Sequence, residues 1–437
     1  MSNKKQCRFA LVAGGLVTLL GLQAALAVAQ ADAAAQEAAP QETAAQEEGF
    51  TREDDSRNPF SFSVSESINY DSNLYRLPKS VSNADAPKGK RSDIYSVTRA
   101  SVNFDGGRSR QAFHAGLAAS YVWYKTHSDL KNTPWDAFLR WDWRIGDRLS
   151  GVIGYGYSDT FVGFDNNYTI NADDRKRIMR QFQRANASAD FWWHPNWATG
   201  LGYTGAWVSY NNERYDTGKY DTREASLNIT YRPSTGSRIV LSWLAENGKY
   251  PNQEETAGSM RDWKRRDVRL SGQWLLTGVT QLSGYFGYTQ RKYDFAHNRD
   301  FNRPTWRIAL HWVPTGKMII DLAYRKEVGA DADLVSNYAE SHGLTLQPTW
   351  VVTSKVRLGA NVEYLDRKYG GDSGVDPTGW YRPRDAKTWV YGANLQYLPV
   401  PNANIALGFQ YSNRDAKSDE RFDYRTQSVY LSGRMTF

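Results

Sequence analysis

The side chains able to do chemistry fall into two sets. The first is arginine. Arg99, Arg140, Arg144, Arg269, Arg307, Arg325 and Arg357 each stand in a run where polar and apolar residues alternate, as do Arg232 and Arg434. A guanidinium presents a planar fork of donors that meets a carboxylate or phosphate at two points. Arginines recurring on one face of successive runs therefore describe a surface for anions. Asp136, Asp142, Asp190, Glu246, Asp321 and Glu363 share that face, so part of this charge neutralises its neighbours and stiffens a wall. Tyr285 and Trp192 offer ring planes on which sugars stack, and serve equally as filling.

The second set is histidine: His114, His127, His194, His297, His311 and His342. No two stand at metal-ligand spacing, no Gly-x-Ser-x-Gly elbow accompanies them, and the single cysteine, Cys7, lies at the extreme N-terminus. Thiol catalysis, a disulfide scaffold and a cysteine-ligated metal are excluded. No residue takes a catalytic or metal-binding role, no cofactor is implied, and the chain reads as a non-enzyme.

The elements that position these residues follow from the alternation. Trp389, Tyr391, Ala393, Leu395 and Tyr397 share one face against Val390, Gly392, Asn394 and Gln396; Val356 to Tyr364 and Trp135 to Trp143 repeat the pattern. Period two is the signature of strands with one apolar face. Connectors alternate between short turns bearing Pro or Gly, such as Pro314–Gly316, and long charged loops, roughly 71–92, 125–134, 162–177 and 366–385. Short turns at one rim and long loops at the other predict an all-β fold. It is a transmembrane, outer-membrane antiparallel β-barrel of about 18 strands (16–18 allowing for miscounts). A soluble sandwich would turn polar residues outward, whereas here the strongly apolar, aromatic face needs lipid. Loop 366–385, with Gly370, Gly371, Gly374 and Gly379, reads either as an inward constriction or as a loop facing solvent.

Ahead of the barrel, Lys4, Lys5 and Arg8 precede the apolar stretch Phe9–Leu22 and small residues at Ala25 to Ala29. This order predicts a signal peptide over residues 1–27, cleaved near 27–29. Residues 28–58, rich in Ala, Gln and Glu, hold too little apolar area to order themselves and read as a disordered acidic periplasmic segment. The formal net charge is +7, and once these two segments are set aside the basic surplus belongs wholly to residues 59–437, the barrel. Mean hydropathy is −0.65 and no apolar run in the body reaches the ~18–20 residues of a spanning helix, which excludes a multi-pass helical protein.

The chain ends on Phe437, with Val429, Leu431 and Met435 on its face and Gly433 interrupting them. This resembles the terminal-strand signature read by the outer-membrane barrel assembly machinery. The opening strand Phe60–Asn73, followed by Leu74-Tyr75-Arg76-Leu77-Pro78, resembles the start of β-barrel porins encoded in exopolysaccharide-biosynthesis operons, the EpsL type associated with exosortase systems. The resemblance implies a part in secreting or assembling an extracellular polysaccharide and carries no active site.

The expected function is a passive outer-membrane conduit with a cationic lumen suited to anionic polysaccharide. A general or substrate-selective diffusion porin and a structural or adhesive barrel without an open pore are the alternatives. Expected partners are outer-membrane lipid and lipopolysaccharide, the assembly machinery, polysaccharide and periplasmic export proteins. The basic stretch Lys264-Arg265-Arg266, taken as a loop, and Lys88, Lys90 and Arg91 are expected to meet lipopolysaccharide phosphates. Export leaves no place for nucleic acid.

Overall fold

Val, Ile, Leu and aromatic side chains at every second position favour extended backbone and give each strand one continuous apolar face. In lipid an unpaired strand edge leaves several kcal/mol per backbone group unsatisfied, so such strands must close on themselves. The computed structural model shows that closure: an 18-stranded antiparallel sheet in which every strand pairs with its sequence neighbours and the first pairs with the last. The structure describes residues 58–164, 177–234, 236–255, 261–330, 338–370, 385–417 and 420–437. The predicted signal peptide and nearly all of the predicted acidic segment lie outside the described residues.

The strands are β1 (Phe60–Asp71), β2 (Asp93–Arg108), β3 (Gln111–Tyr124), β4 (Trp135–Ile145), β5 (Leu149–Phe161), β6 (Met179–His194), β7 (Trp197–Tyr210), β8 (Tyr220–Tyr231) and β9 (Arg238–Lys249). The second half comprises β10 (Asp262–Thr277), β11 (Thr280–Tyr293), β12 (Phe301–Thr315), β13 (Met318–Ala330), β14 (Tyr338–Val351), β15 (Val356–Gly370), β16 (Ala386–Tyr397), β17 (Ala403–Ala416) and β18 (Tyr424–Thr436). The expected count and the alternation of turns and loops both hold. The strands run further into the loops than the sequence suggests, and the stretch Lys264-Arg265-Arg266 lies inside β10, not in a loop.

The seam is continuous. β1 meets β18 in register from Ser63↔Thr436 to Asp71↔Ser428. Below that ladder the Phe62 N–H donates to the Phe437 carbonyl (3.1 Å) and the Phe437 N–H returns a bond to Phe62 (2.7 Å). Val429, Leu431, Met435 and Phe437 are all exposed on the outer face.

Outward positions are apolar and open: Leu139 is 62% exposed, Leu201 64% and Phe286 61%. Water would not tolerate a ring of such residues around the whole wall, and a bilayer does. The one carboxylate amid this band on β1, Glu66, accepts a hydrogen bond from the Thr98 hydroxyl beside it.

The tightest core is not in the wall but at the loop-bearing mouth. Leu74, Tyr75, Leu77 and Ala86 of the loop after β1 are buried with Val122, Tyr124, Leu130 and Phe164. Tyr95, Val97, Val122 and Tyr124 are inward positions of β2 and β3, so this first loop folds against the inner wall. An inward loop was foreseen at 366–385 as one of two readings; residues 371–384 lie outside the described residues, and the loop seen to enter is 72–92.

Candidate functional site: the lumen wall and its mouth

Alternation turns Arg99, Arg140, Arg144, Arg269, Arg307, Arg325 and Arg357 to the lumen side, opposite the exposed apolar face of each strand. They do not form one site. Arg99 donates to Asp136 (2.7 Å) and Arg140 to Asp142 (2.8 Å). Arg325 reaches Glu363 at 3.2 Å and Glu327 at 3.5 Å. It does so by lying over Gly343, whose missing Cβ would stand 3.0 Å from the Arg325 Nε. For Arg144, Arg307 and Arg357, by contrast, no carboxylate is within ion-pair distance among the described residues.

One stretch of this wall gathers arginines around an aromatic ring. Tyr285, Arg307 and Arg325 are direct register partners across β11, β12 and β13. Arg269 stacks on the Tyr285 ring, its guanidinium carbon 4.5 Å from the centroid. Arg325 leans away to Glu363 and Glu327, and among the described residues neither Arg307 nor Arg269 has a carboxylate within ion-pair distance, although the charge of Glu327 is felt at the Tyr285 hydroxyl. Arg269 on β10 and Arg307 on β12 flank Tyr285 of β11, and a carboxylate entering between them would accept donors from both. A second stack places Arg232 4.0 Å from the Trp192 ring.

A neutralised cluster lies nearer the mouth, and sequence reasoning missed it. Arg265 is only 5% exposed. It reaches Glu224 (3.2 Å), Glu246 (3.0 Å) and Asp267 (3.3 Å). Glu224 and Glu246 are direct partners on β8 and β9, and two opposed carboxylates are tolerable only with the guanidinium between them. The strand register that brings Glu224 to Arg265 across β9 has no local signal. Arg265 is therefore structural and not a lipid contact, which corrects the expectation for that residue.

Within the strands no lysine takes an inward position. Lys249, Lys264, Lys292, Lys326, Lys368 and Lys387 all face outward. The inner cations of the strands are arginines, which carry the planar fork and hold their charge in any surroundings.

The mouth loop is built by the residues of the opening motif. Asp71 Oδ1 accepts from the Asn73 N–H (2.8 Å) and from the Thr426 hydroxyl (2.7 Å), and Asp71 Oδ2 pairs with Arg76 (2.8 Å). Arg76 holds φ at +54°, a left-handed turn that its bonds to Asp71 and to the Asn73 carbonyl (2.7 Å) support. Arg91 donates to the carbonyls of Leu77 (2.7 Å), Pro78 (3.0 Å) and Val81 (2.6 Å). Arg91, expected to meet lipid phosphate, is instead committed inside the loop, and Lys88 is bound to Asp129.

Three of the histidines are held by carboxylates on the lumen side or in the mouth. His127, fully buried, sets one ring nitrogen 2.8 Å from Asp93 and the other 3.1 Å from the Pro87 carbonyl, and the Tyr75 ring stands edge-on to it at 5.0 Å. This joins the first two loops. Burial, with the charges of Asp129 and Asp93 beside it, pushes the Tyr75 hydroxyl's pKa well up. His114 lies between Asp105 (2.7 Å) and Asp142 (3.3 Å), and His311 binds Asp321 (2.7 Å). Among the described residues none of these three has a hydrogen-bonded serine, threonine or tyrosine hydroxyl as nucleophile. His342, expected beside a connector, sits within β14 on the outer face between Glu340 at 2.9 Å and the Tyr324 hydroxyl at 3.2 Å.

No protein-family model matches the chain, and no curated protein matches it in sequence. Among solved structures the chain is similar to the outer membrane protein OpdK of Pseudomonas aeruginosa, at 10% identity and TM-score 0.47 over 86% of this chain and 99% of that one. It is similar at 10% identity and TM-score 0.47 to Pseudomonas aeruginosa OccK2 (OpdF) in complex with glucuronate, over 87% of this chain and 98% of that one. A BenF-like porin from Pseudomonas fluorescens Pf-5 shows the same identity and TM-score, 10% and 0.47, over 86% of this chain and 98% of that one.

Proposed function

We propose that this protein is a passive outer-membrane channel for anionic carbohydrate, delivered by its signal peptide and serving exopolysaccharide biosynthesis or export. The observation that carries the reading is the Arg269–Tyr285–Arg307 face of the lumen: two cations with no carboxylate at ion-pair distance among the described residues, beside an aromatic ring, on a wall whose inner strand cations are all arginine. A uronic-acid unit supplies both complements, a carboxylate for the guanidinium forks and a sugar face for the ring. Barrels of 16–18 strands leave an aqueous channel, and fixed positive charge along it lowers the barrier for anions. The place in exopolysaccharide production rests on the likeness of the opening motif to the EpsL-type porins.

A second reading, a substrate-selective diffusion channel for small anionic solutes, is favoured by the first loop. Its buried Leu74, Tyr75 and Leu77 occupy part of the mouth, which suits a single solute better than a wide polymer.

Single-channel recording of the purified barrel in planar bilayers tests both. Anion preference with block by uronic-acid oligomers, deepening with chain length, is the result expected for a polysaccharide conduit. Block that saturates at the monomer selects the small-solute channel. Conductance without anion preference defeats the lumen reading.

A further inference from the structure

A second charged surface lies on the outside of the barrel and is independent of the lumen. On β8 to β11 the outward residues form rows fixed by the strand register. Leu227, Trp243, Val268 and Tyr288 make an apolar row. One step toward the loops, Arg266 stands between Ala245 and Gln290; one further, Arg223, Asn247, Lys264 and Lys292 are direct partners across four adjacent strands. All four cations are exposed. In the row above, Asp221, Lys249 and Asp262 are in register, so charge is mixed there.

Two features separate this cluster from the rest of the rim. Among the described residues no carboxylate stands within ion-pair distance of Arg223, Arg266 or Lys292, and Lys264 has only the exposed Asp294 at 3.2 Å. Two other cations of the outer wall stand with acids: Lys326 pairs with Glu340 at 2.9 Å, and Lys387 is in register with both Asp366 and Asp415. The cluster also sits at a defined depth. From Arg266 to Trp274 the strand spans eight steps of about 3.3 Å, which at a tilt of roughly 40° is about 20 Å along the barrel axis. That is close to the ~25 Å apolar band of such barrels. Arg266, Lys264, Arg223 and Lys292 thus lie at the boundary where the headgroups of the loop-side leaflet begin.

We propose that Arg223, Lys264, Arg266 and Lys292 form a binding site for the phosphates of a lipid headgroup. The occupant is a bis-phosphorylated glycolipid, the lipid A end of lipopolysaccharide, in the loop-side leaflet. Neighbouring like charges on adjacent strands repel. A pair of phosphates removes that repulsion and accepts donors from both guanidinium groups and both ammonium groups. Three strand spacings of about 4.8 Å separate Arg223 from Lys292, so the row offers about 14 Å of cationic edge, enough to engage two phosphates at once. The apolar row beneath, with Trp243 and Tyr288, is where the acyl chains would run. Of the basic stretch read in the sequence, the outer two members serve this site and Arg265 does not.

The test uses the full-length barrel in detergent micelles, mixed with diphosphoryl lipid A, with retention measured by native mass spectrometry. Wild type is expected to retain the lipid, and the R223Q/R266Q/K292Q variant to bind it on the order of a hundredfold more weakly. That corresponds to about fivefold, or about 1 kcal/mol, per cation. Lys326→Gln, whose charge is already paired, is expected to bind as wild type. Heat-modifiable mobility reports that each barrel is folded; if the triple variant does not fold, Arg266→Gln alone is expected to weaken binding about fivefold. Retention unchanged in a folded variant overturns the proposal. Displacement of the lipid from wild type by inorganic phosphate at equal phosphorus concentration also overturns it, by making the site one for the free ion. Channel conductance is read separately, so failure here leaves the lumen reading untouched.

Discussion

The side chain of Asn73 pairs with the backbone of Leu77 as a strand would. The Leu77 N–H donates to Asn73 Oδ1 at 2.9 Å, and Asn73 Nδ2 donates to the Leu77 carbonyl at 2.9 Å. The same amide reaches across the seam to the Arg425 carbonyl at 3.0 Å. One side chain therefore fixes the inward turn of the first loop and ties it to β18, whose C-terminal half closes on β1.

Replacing Asn73 with Ala leaves the Leu77 N–H, buried with its residue, without a partner, at a cost of about 1–3 kcal/mol. The loss falls on the loop and not on the barrel. Trypsin cleavage at Lys79, Lys88 or Lys90 is expected to accelerate tenfold or more, with heat-modifiable mobility unchanged. Single-channel conductance is expected to rise as Leu74 and Leu77 leave the mouth. Equal cleavage rates in both proteins would show that the loop is held by its apolar contacts alone.

The same loop shows what the sequence makes legible. Period two exposes the strands because their side chains alternate between lipid and lumen, and eighteen were readable from Trp389–Tyr397, Trp135–Trp143 and their like. The lumen side of Arg99, Arg269, Arg307 and Arg325 followed from the same parity. Leu74, Tyr75 and Leu77 carry no period, so their burial was invisible, although their motif was the most recognisable stretch of the chain. Arg265 was misread for a different reason. Two of its three partners lie 41 and 19 residues earlier in the chain, at Glu224 and Glu246, and only the shear of the sheet sets them at one height. The outer row of Arg223, Lys264 and Lys292 was hidden by the same register.

Docking of the first loop on the second responds to acid. Burial opposes charge on Asp129, but the Lys88 hydrogen bond, its own backbone N–H, and the charges of Lys88 and His127 outweigh it and hold the carboxyl below its ordinary range. A carboxyl depressed in the folded state stabilises above its unfolded pKa and loses that contribution as pH falls through the folded value. Amide protection in residues 86–90 and 126–131, taken relative to the intrinsic exchange rate at each pH, is therefore expected to be greatest at neutral pH and to fall below about pH 4. Lys88→Ala is expected to remove the share carried by Asp129 and to leave the share of Asp93, whose carboxyl, against its burial, the Thr126 and His127 N–H groups also hold low; an unchanged pH profile at residues 86–90 in this variant would discard the Lys88–Asp129 pair as a source.

Arg265 holds three carboxylates, so its removal should damage the barrel and not the channel chemistry. Arg265→Gln leaves Glu224, Glu246 and Asp267 buried together without a cation, and breaking a buried ion pair from one side costs about 3–5 kcal/mol. Urea unfolding in lipid vesicles is expected to show a loss of this order. Adding Glu246→Gln should recover part of it, because one of the two opposed charges on β8 and β9 is then gone. A triple-acid cluster that tolerates Arg265→Gln at full stability would mean that water from the lumen, and not the guanidinium, screens it.

Arg307 supplies the opposite case. It has no acid to balance within the described structure, so Arg307→Gln should shift stability by no more than about 0.5 kcal/mol. What it removes is the donor fork beside Tyr285 and Arg269, and a hydrogen bond to a charged group is worth about 1.5–3 kcal/mol. Block of the open channel by uronic-acid oligomers is therefore expected to weaken about tenfold or more. Arg99→Gln makes a stricter control than an uncharged site would. It deletes the same unit of charge from the same lumen, but Arg99 is already spent on Asp136 at 2.7 Å. If a general positive field carries the anion preference, the two variants will lose it equally. If the Arg269–Tyr285–Arg307 face recognises the solute, only Arg307→Gln will lose the block, while both lose a similar part of the simple anion-to-cation permeability ratio.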